Sequence, residues 1–289
     1  MLIRFQRNIS ILGRSPRTFE NYSRHIAAMA LHFNCVPTVL DPEQVKDYLY
    51  ALQQRSKTPS QTYFKHTVYG LRFLLKTEGL PYEHLHLPAI QKSNTLPVVL
   101  SKPEVWKMLT TAKLLKHKIL IGLIYGCGLR CMEVRNIEMK HLDFDRKQLH
   151  IVQSKGNKDR IVPLSEHIIR GIKKFIAAEH PTSFLFTGIA GQAGNDFDSR
   201  YSQRGVQWAI KTIAKQAGIL KEVHTHTLRH SYATHLLEDG LNIVSLKNLL
   251  GHKNVETTME YLHLCELNDK NVFSPLDTLF AQCARPATK

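Results

Sequence analysis

The chain has 289 residues, 43% of them hydrophobic, and a net charge of +15 at pH 7, with a pI near 9.6. That length admits one or two domains with packed cores, and so large a positive excess points to a polyanionic partner, most simply nucleic acid. No apolar run reaches membrane-spanning length, and no secretory signal pattern is read at the N-terminus. The five cysteines, Cys35, Cys127, Cys131, Cys265 and Cys283, are irregularly spaced. Such an odd set predicts reduced thiols in a cytoplasmic protein. Cys127 and Cys131 lack a second pair at zinc-finger spacing and read as packing residues.

In the N-terminal part, Ser15-Pro16 is a helix start, serine as cap and proline in the first turn. Phe19, Tyr22, Ile26, Met29, Ala30 and Phe33 then fall on one stripe. Asp41-Pro42-Glu43 opens a second helix with Val45, Tyr48, Leu49 and Leu52 inward. Ser60 precedes a third, carrying Phe64, Val68, Leu71, Leu74 and Leu75 and ending before Gly79. This predicts a small all-helical domain over residues 1–92. Its polar faces carry Arg17, Arg24, Arg55, Lys57, Lys65, Arg72 and Lys76, read together as phosphate contacts. The proline-flanked polar run at 88–98 has no period. The linker is placed at 93–98, with a second domain over 99–289.

The second domain opens on Ser101-Lys102-Pro103-Glu104, again a helix start. Residues 118–125 are nearly all apolar and predict a buried helix, broken at Gly126-Cys127-Gly128. Arg130 follows at once, opening a short helix with Glu133 and Val134. Beside a buried helix an unpaired guanidinium is costly, and a phosphate would satisfy it bidentately. Residues 149–153 alternate as a strand, 154–159 are turn residues, and Arg160 to Leu164 return. Lys158 and Arg160 read as cations of a basic hairpin tip. Residues 187–205 are a glycine-rich polar loop, and residues 206–217 regain helical period through Trp208, Ile210 and Ile213.

The stretch from His224 to His263 carries the densest polar chemistry. Leu228, Tyr232, Leu236 and Leu237 predict a helix ended by Gly240; Asn242 caps another that carries Ile243, Leu246, Leu249 and Leu250 and ends at Gly251. His226 and Arg229, three apart, share a helical face. On one unbroken helix His252 and Tyr261 would point opposite ways. A break at Lys253-Asn254 is therefore expected, with Asn254 capping a helix from Val255.

Gly128-Leu129-Arg130 with Glu133, the run KGNKDR from Lys155, His226-Thr227-Leu228-Arg229, Gly251-His252 and Tyr261 stand in this order. Together they resemble the tyrosine recombinase (phage integrase) family, its Xer-like members in particular. The resemblance is sharp over about residues 99–265. It implies a mainly α fold with a small β-sheet: an all-helical, SAM-like DNA-binding domain followed by a mixed α/β catalytic domain. It implies a catalytic set of Arg130, Lys155, His226, Arg229, His252 and Tyr261. The implied partners are double-stranded DNA and further copies of the chain, in a tetrameric synapse joined through the apolar tail element at 273–280. The implied location is the cytoplasm, on the nucleoid.

The chemistry of these residue types fits that reading. Tyr261 attacks the scissile phosphorus, stores the bond as a 3′-phosphotyrosine and expels a 5′-hydroxyl. Arg130 and Arg229 meet the charge that grows on the nonbridging oxygens, and His252 adds a donor. Arginine stays charged at working pH, so no metal or other cofactor is expected. Lys155 suits protonation of the leaving oxygen and His226 suits acceptance of the phenol proton. By residue type alone His226 and His252 are interchangeable. Two readings compete for function: a type IB topoisomerase-like nicking and closing enzyme, and a noncatalytic helix-turn-helix module over 227–250. A metal hydrolase built on His226 and His230 lacks the glutamate such a motif needs.

Overall fold

The computed structural model describes residues 2–13, 15–55, 61–80, 96–154, 158–188 and 199–265. The chain divides into two compact units, residues Met1–Asn94 and Thr95–Lys289. Lys155 and the tail element at 273–280 lie outside the described residues, as do Lys57 and most of the polar loop at 187–205.

The first unit holds α1 (Leu2–Ile11), α2 (Pro16–Phe33), α3 (Pro42–Arg55) and α4 (Gln61–Thr77). Ser15 caps α2 by accepting from the Thr18 amide at 3.3 Å, with Pro16 in the first turn. The α2 stripe meets α4 across a core that includes Ile26, Met29, Val68, Leu71 and Leu75. Phe5 and Ile9 of α1 close that core. The sequence reading left α1 out, since two inward residues and no capping signal do not make a period.

The second unit is built around α6 (Leu115–Gly126), against which α5 (Lys102–Thr111), α7 (Cys131–Arg135), α8 (Glu166–Glu179), α9 (Gln203–Gln216) and α10 (Thr225–Glu238) all pack. Surrounded in this way, α6 buries Ile119, Leu120, Ile121, Leu123 and Ile124 on nearly every face, which is why its sequence is apolar without a stripe. Three antiparallel strands, β1 (Leu142–Asp143), β2 (Gln148–Ser154) and β3 (Lys158–Pro163), form a sheet in chain order. Leu149 and Ile151 on β2 and Val162 on β3 are buried, and so is Arg160. Arg160 therefore shares the inward parity of its strand. The return strand read from Arg160 is present, and the blander alternative, Arg160 as only a hairpin-tip cation, does not hold.

Helix α11 (Ile243–Leu250) starts at Asn242, whose side chain accepts from the Ser245 amide at 2.8 Å, and ends on Gly251 in the left-handed conformation. The break after His252 is present, but its details differ from expectation. Helix α12 (Glu256–Met259) begins behind Val255 with no side-chain cap, so Asn254 is not the capping residue. Thr258 instead turns its hydroxyl to His252 Nδ1 at 2.9 Å.

The α6–α7 turn depends on Gly128. Its φ is +62°, and a Cβ there would stand 2.5 Å from the Tyr232 ring of α10. Gly128→Ala should cost roughly 2 kcal/mol or more through backbone strain and overpacking. The measurement is the Tm of the variant; an unchanged Tm would mean that the turn and α10 separate at no cost.

Candidate active site

Four separate stretches of the second unit bring ionisable groups to one place. The first is the α6–α7 turn. Arg130 is the N-cap of α7, and Glu133 reaches back to it: the Arg130 amide donates to Glu133 Oε2 at 2.8 Å, and its guanidinium donates to Oε1 at 2.6 Å. The second is β3, whose Arg160 grips the same carboxylate from its other side, Nη1 to Oε1 at 2.9 Å and Nη2 to Oε2 at 2.7 Å. Glu133 and Arg160 are each 9% exposed. Burial pushes the Glu133 carboxyl up, but the two Arg160 hydrogen bonds and the charges of Arg160 and Arg130 outweigh it and bring the carboxyl down to about 2. Arg130 is thus not the unpaired guanidinium that its sequence context suggested.

The third stretch is α10, which presents His226, Arg229 and His230 at positions i, i+3 and i+4. Arg229 is 3% exposed. It donates through Nη1 to the carbonyl of Gly128 and through Nη2 to that of Leu250, the latter at 2.7 Å. Its Nη1 also lies 3.8 Å from Glu133 Oε2. Burial and the nearby Arg130 lower its pKa to about 10, against the pull of Glu133, so it stays charged at neutral pH. Three guanidiniums surrounding one carboxylate leave a local excess of positive charge, the condition for drawing in a phosphate.

The fourth stretch runs from the end of α11 through α12. His252 Nε2 stands 3.2 Å from Arg229 Nη2. Arginine only donates, so Nε2 accepts and the ring proton is on Nδ1, directed at Thr258 Oγ1. Burial, then the charges of Arg229 and Arg130, bring His252 down to about 4. It is neutral at pH 7, and to donate from Nε2, as the sequence reading has it, it must change tautomer or gain a proton. Tyr261 follows α12 and is 5% exposed, packed with Tyr232, Leu246 and Leu250. Its ring lies nearly parallel to that of His252, at 12° and 6.3 Å between centroids. Burial raises the phenol pKa, while Arg229, which also interacts with the phenol oxygen, opposes the rise.

Of the predicted residues, Arg229, His252 and Tyr261 are in mutual contact, and Arg130 joins them through Glu133. His226 stands exposed at the edge. It lines an open cleft of about 440 Å³ together with Arg130, Glu133, His150 and Gln203. Lys155 is not among the described residues. Three residues at the centre lie outside the catalytic set read from the sequence: Glu133, noted there only beside Arg130; Arg160, noted only as a hairpin cation; and His230, weighed only as a metal ligand, whose Nδ1 lies 3.2 Å from Tyr261 Oη. The signals existed: a glutamate three after the arginine, an arginine at an inward strand position, and a histidine one turn beyond His226.

The model of the phage integrase family matches residues 99–267. A tyrosine recombinase of Thermosipho africanus is 31% identical over 265 residues, covering 87% of this chain and 90% of that protein. Tyrosine recombinase XerA of Pyrococcus horikoshii is 30% identical over 264 residues, covering 90% and 88%. In fold, the crystal structure of XerA recombinase aligns over 99% of both chains with a TM-score of 0.52 at 24% identity. The Tn1549 transposon integrase in complex with transposon right-end DNA aligns over 99% of both with a TM-score of 0.68 at 15% identity. The chain belongs to the phage integrase family, the tyrosine recombinases, which break and rejoin DNA.

The carboxylate at the centre gives a pH signature. Because Glu133 is depressed in the folded state, its contribution is fully present above its unfolded value of 4.5 and fades as pH falls toward about 2. A depression of that size corresponds to roughly 3 kcal/mol. Wild type should therefore lose stability to urea between pH 5 and 2 more steeply than Glu133→Gln, which should already be destabilised at pH 7. Parallel profiles for the two proteins would contradict this.

Proposed function

We propose that this chain cuts and rejoins double-stranded DNA at specific sites through a covalent 3′-phosphotyrosine on Tyr261. The observation that carries this is the convergence of Arg229, His252 and the Tyr261 phenol, with Arg130 tied to them through Glu133, from stretches far apart in the sequence. Arg130 and Arg229 bind the nonbridging oxygens of the scissile phosphate, and their fixed charge meets the negative charge of the pentacoordinate phosphorus. His252 adds a hydrogen bond to the same oxygens, and His226 belongs to the set at the cleft where the duplex enters. Lys155, by the likeness of KGNKDR to the family's hairpin motif, protonates the departing 5′-oxygen. Each exchange trades one phosphodiester for another, so it runs without a nucleotide cofactor, and the fixed charge of the arginines takes the place of a metal.

Entry of a phosphate requires movement, since Tyr261 and Arg229 are both nearly covered. The segment after Gly251 is held to α10 by the His252 contact with Arg229 and the Tyr261 contact with His230; it is the part that must shift, and a shift that frees Arg229 while keeping Tyr261 against His230 admits the phosphate. The N-terminal helical unit, a SAM-like domain over 1–92 in this reading, also binds the duplex. Arg17, Arg24, Lys65, Arg72 and Lys76 supply phosphate contacts there. Active complexes are tetrameric, joined through the tail at 273–280, and act on the nucleoid in the cytoplasm. The net charge of +15 supports a phosphate-dominated interface.

A random-sequence duplex library exposed to wild type should yield a denaturant-resistant adduct. Tyr261→Phe should bind DNA equally and form none; an adduct with the phenylalanine variant would assign the nucleophile elsewhere. Arg229→Ala should slow cleavage by about 10² or more. It should also lower the Tm, because it strips partners from the buried carbonyls of Gly128 and Leu250. Affinity for DNA should fall steeply with salt, and cleavage should persist in excess EDTA. An affinity insensitive to salt would contradict the phosphate-dominated interface.

A further inference from the structure

We infer that His230 is the group that exchanges the proton of the Tyr261 phenol, with His226 as the outer stage of the same relay. The inference rests on Tyr261 being the nucleophile, and it assigns a role to a residue outside the set read from the sequence. Three histidines stand near the phenol, and their geometry separates them. His252 has both ring nitrogens engaged, Nε2 by Arg229 and Nδ1 by Thr258. His226 is exposed, and its ring centroid lies 6.3 Å from that of His230. His230 touches the reacting atom: its Nδ1 is 3.2 Å from Tyr261 Oη, with ring centroids 5.5 Å apart. That distance is within reach of direct proton transfer.

The surroundings of His230 favour an acceptor that acts only when substrate is present. The titratable and charged groups near it are His226 and Arg229 on its own helix, His252 beyond α11, and Tyr261. Burial first, then His226 and Arg229, bring His230 down to about 4, so its ring is neutral at pH 7. A neutral ring offers a lone pair, yet it is too weak a base to hold the phenol proton in the resting protein. An incoming phosphate changes this, since a negative charge a few ångströms away raises the proton affinity of an imidazole. Deprotonation of Tyr261 is thereby coupled to the arrival of DNA.

The step balances as follows. The Tyr261 Oη–phosphorus bond forms as the phosphorus–O5′ bond breaks. The phenol proton passes to His230 Nδ1, and the departing O5′ takes a proton from the general acid. On rejoining, the 5′-hydroxyl attacks phosphorus and gives its proton back to the general acid, while the phosphorus–Oη bond breaks and His230 returns its proton to the phenol. Exposed His226, one helical turn away, lets the His230 proton exchange with water while the phosphotyrosine stands, and be taken back before rejoining.

The test uses the duplex that wild type captures from the random library, full-length protein, and single-turnover cleavage. Asparagine at position 230 can keep a hydrogen bond to the phenol but cannot accept its proton. His230→Asn should bind the duplex with wild-type Kd and cleave about 10² to 10³ times more slowly at pH 7. Its rate should then climb roughly tenfold per pH unit up to pH 9, as hydroxide takes over the proton. A duplex with sulfur at the bridging 5′ position, whose leaving group needs no acid, should not rescue it, although it should rescue Lys155→Ala. His226→Asn should lose less than His230→Asn. If thermal melting shows the Asn variant unfolded, His230→Gln takes its place. The proposal is overturned if the position-230 variant cleaves within threefold of wild type, if its deficit is the same at every pH, or if the sulfur duplex restores it. If wild type captures no duplex, or Tyr261→Phe still forms an adduct, the nucleophile reading itself has failed and takes this proposal with it.

Discussion

The buried carboxylate of Glu133 is the interaction on which this site depends. It is held by Arg160 from β3 and by Arg130 from the α6–α7 turn, with Arg229 of α10 at the edge of its reach. Without it, three guanidiniums in a largely dry space would repel one another and demand water. With it, they are fixed at short range before any substrate arrives. Such preorganisation is what an electrostatic catalyst of phosphoryl transfer needs, because no reorganisation is then required as charge develops. Arg130 and Arg229, proposed above to bind the phosphate, are thus held in place through Glu133 and its partner Arg160.

The same arrangement explains the resting state of the histidines. Little water, and then positive charge close by, keep His230 and His252 neutral. Arg229 itself stays charged while serving two main-chain carbonyls. The cluster's attraction for an anion is therefore carried by its arginines and not by protonated histidines. A phosphate that enters competes with carbonyl oxygens for Arg229, and the competition moves the elements those carbonyls belong to.

Much of this was legible in the sequence, for physical reasons that differ by element. Helices with a capping serine or asparagine, such as α2, α5 and α11, announce their starts because orphan amides need acceptors. Helix α6 was legible from its length of unbroken apolar residues. Strand β1, two residues long, carries no period to detect, and α1 lacks a cap. Helix α8 had readable signals, Ser165 as cap and buried Ile169, Ile172 and Phe175, and was passed over. At the site, Arg130, His226, Arg229, His252 and Tyr261 were proposed from the resemblance of their motifs to the family's. The supporting residues were not, because their meaning lies across elements. Arg160 reads as one more cation in a basic hairpin until the strand's parity turns it inward. His230 reads as a neighbour of His226 until the segment carrying Tyr261 folds back upon it.

The end of α11 gives the motif spacing a mechanical cause. Its last two carbonyls are both held by arginines, Leu249 by Arg160 Nε at 2.8 Å and Leu250 by Arg229, and Gly251 turns beneath the Arg160 side chain. The stretch between Arg229 and His252 is therefore a ruler clamped at both ends. Adding or removing one residue within α11 would swing those carbonyls by about 100° around the helix axis. The imidazole of His252 would then no longer meet the guanidinium it partners. Drift in sequence can be absorbed along this stretch, while drift in length cannot.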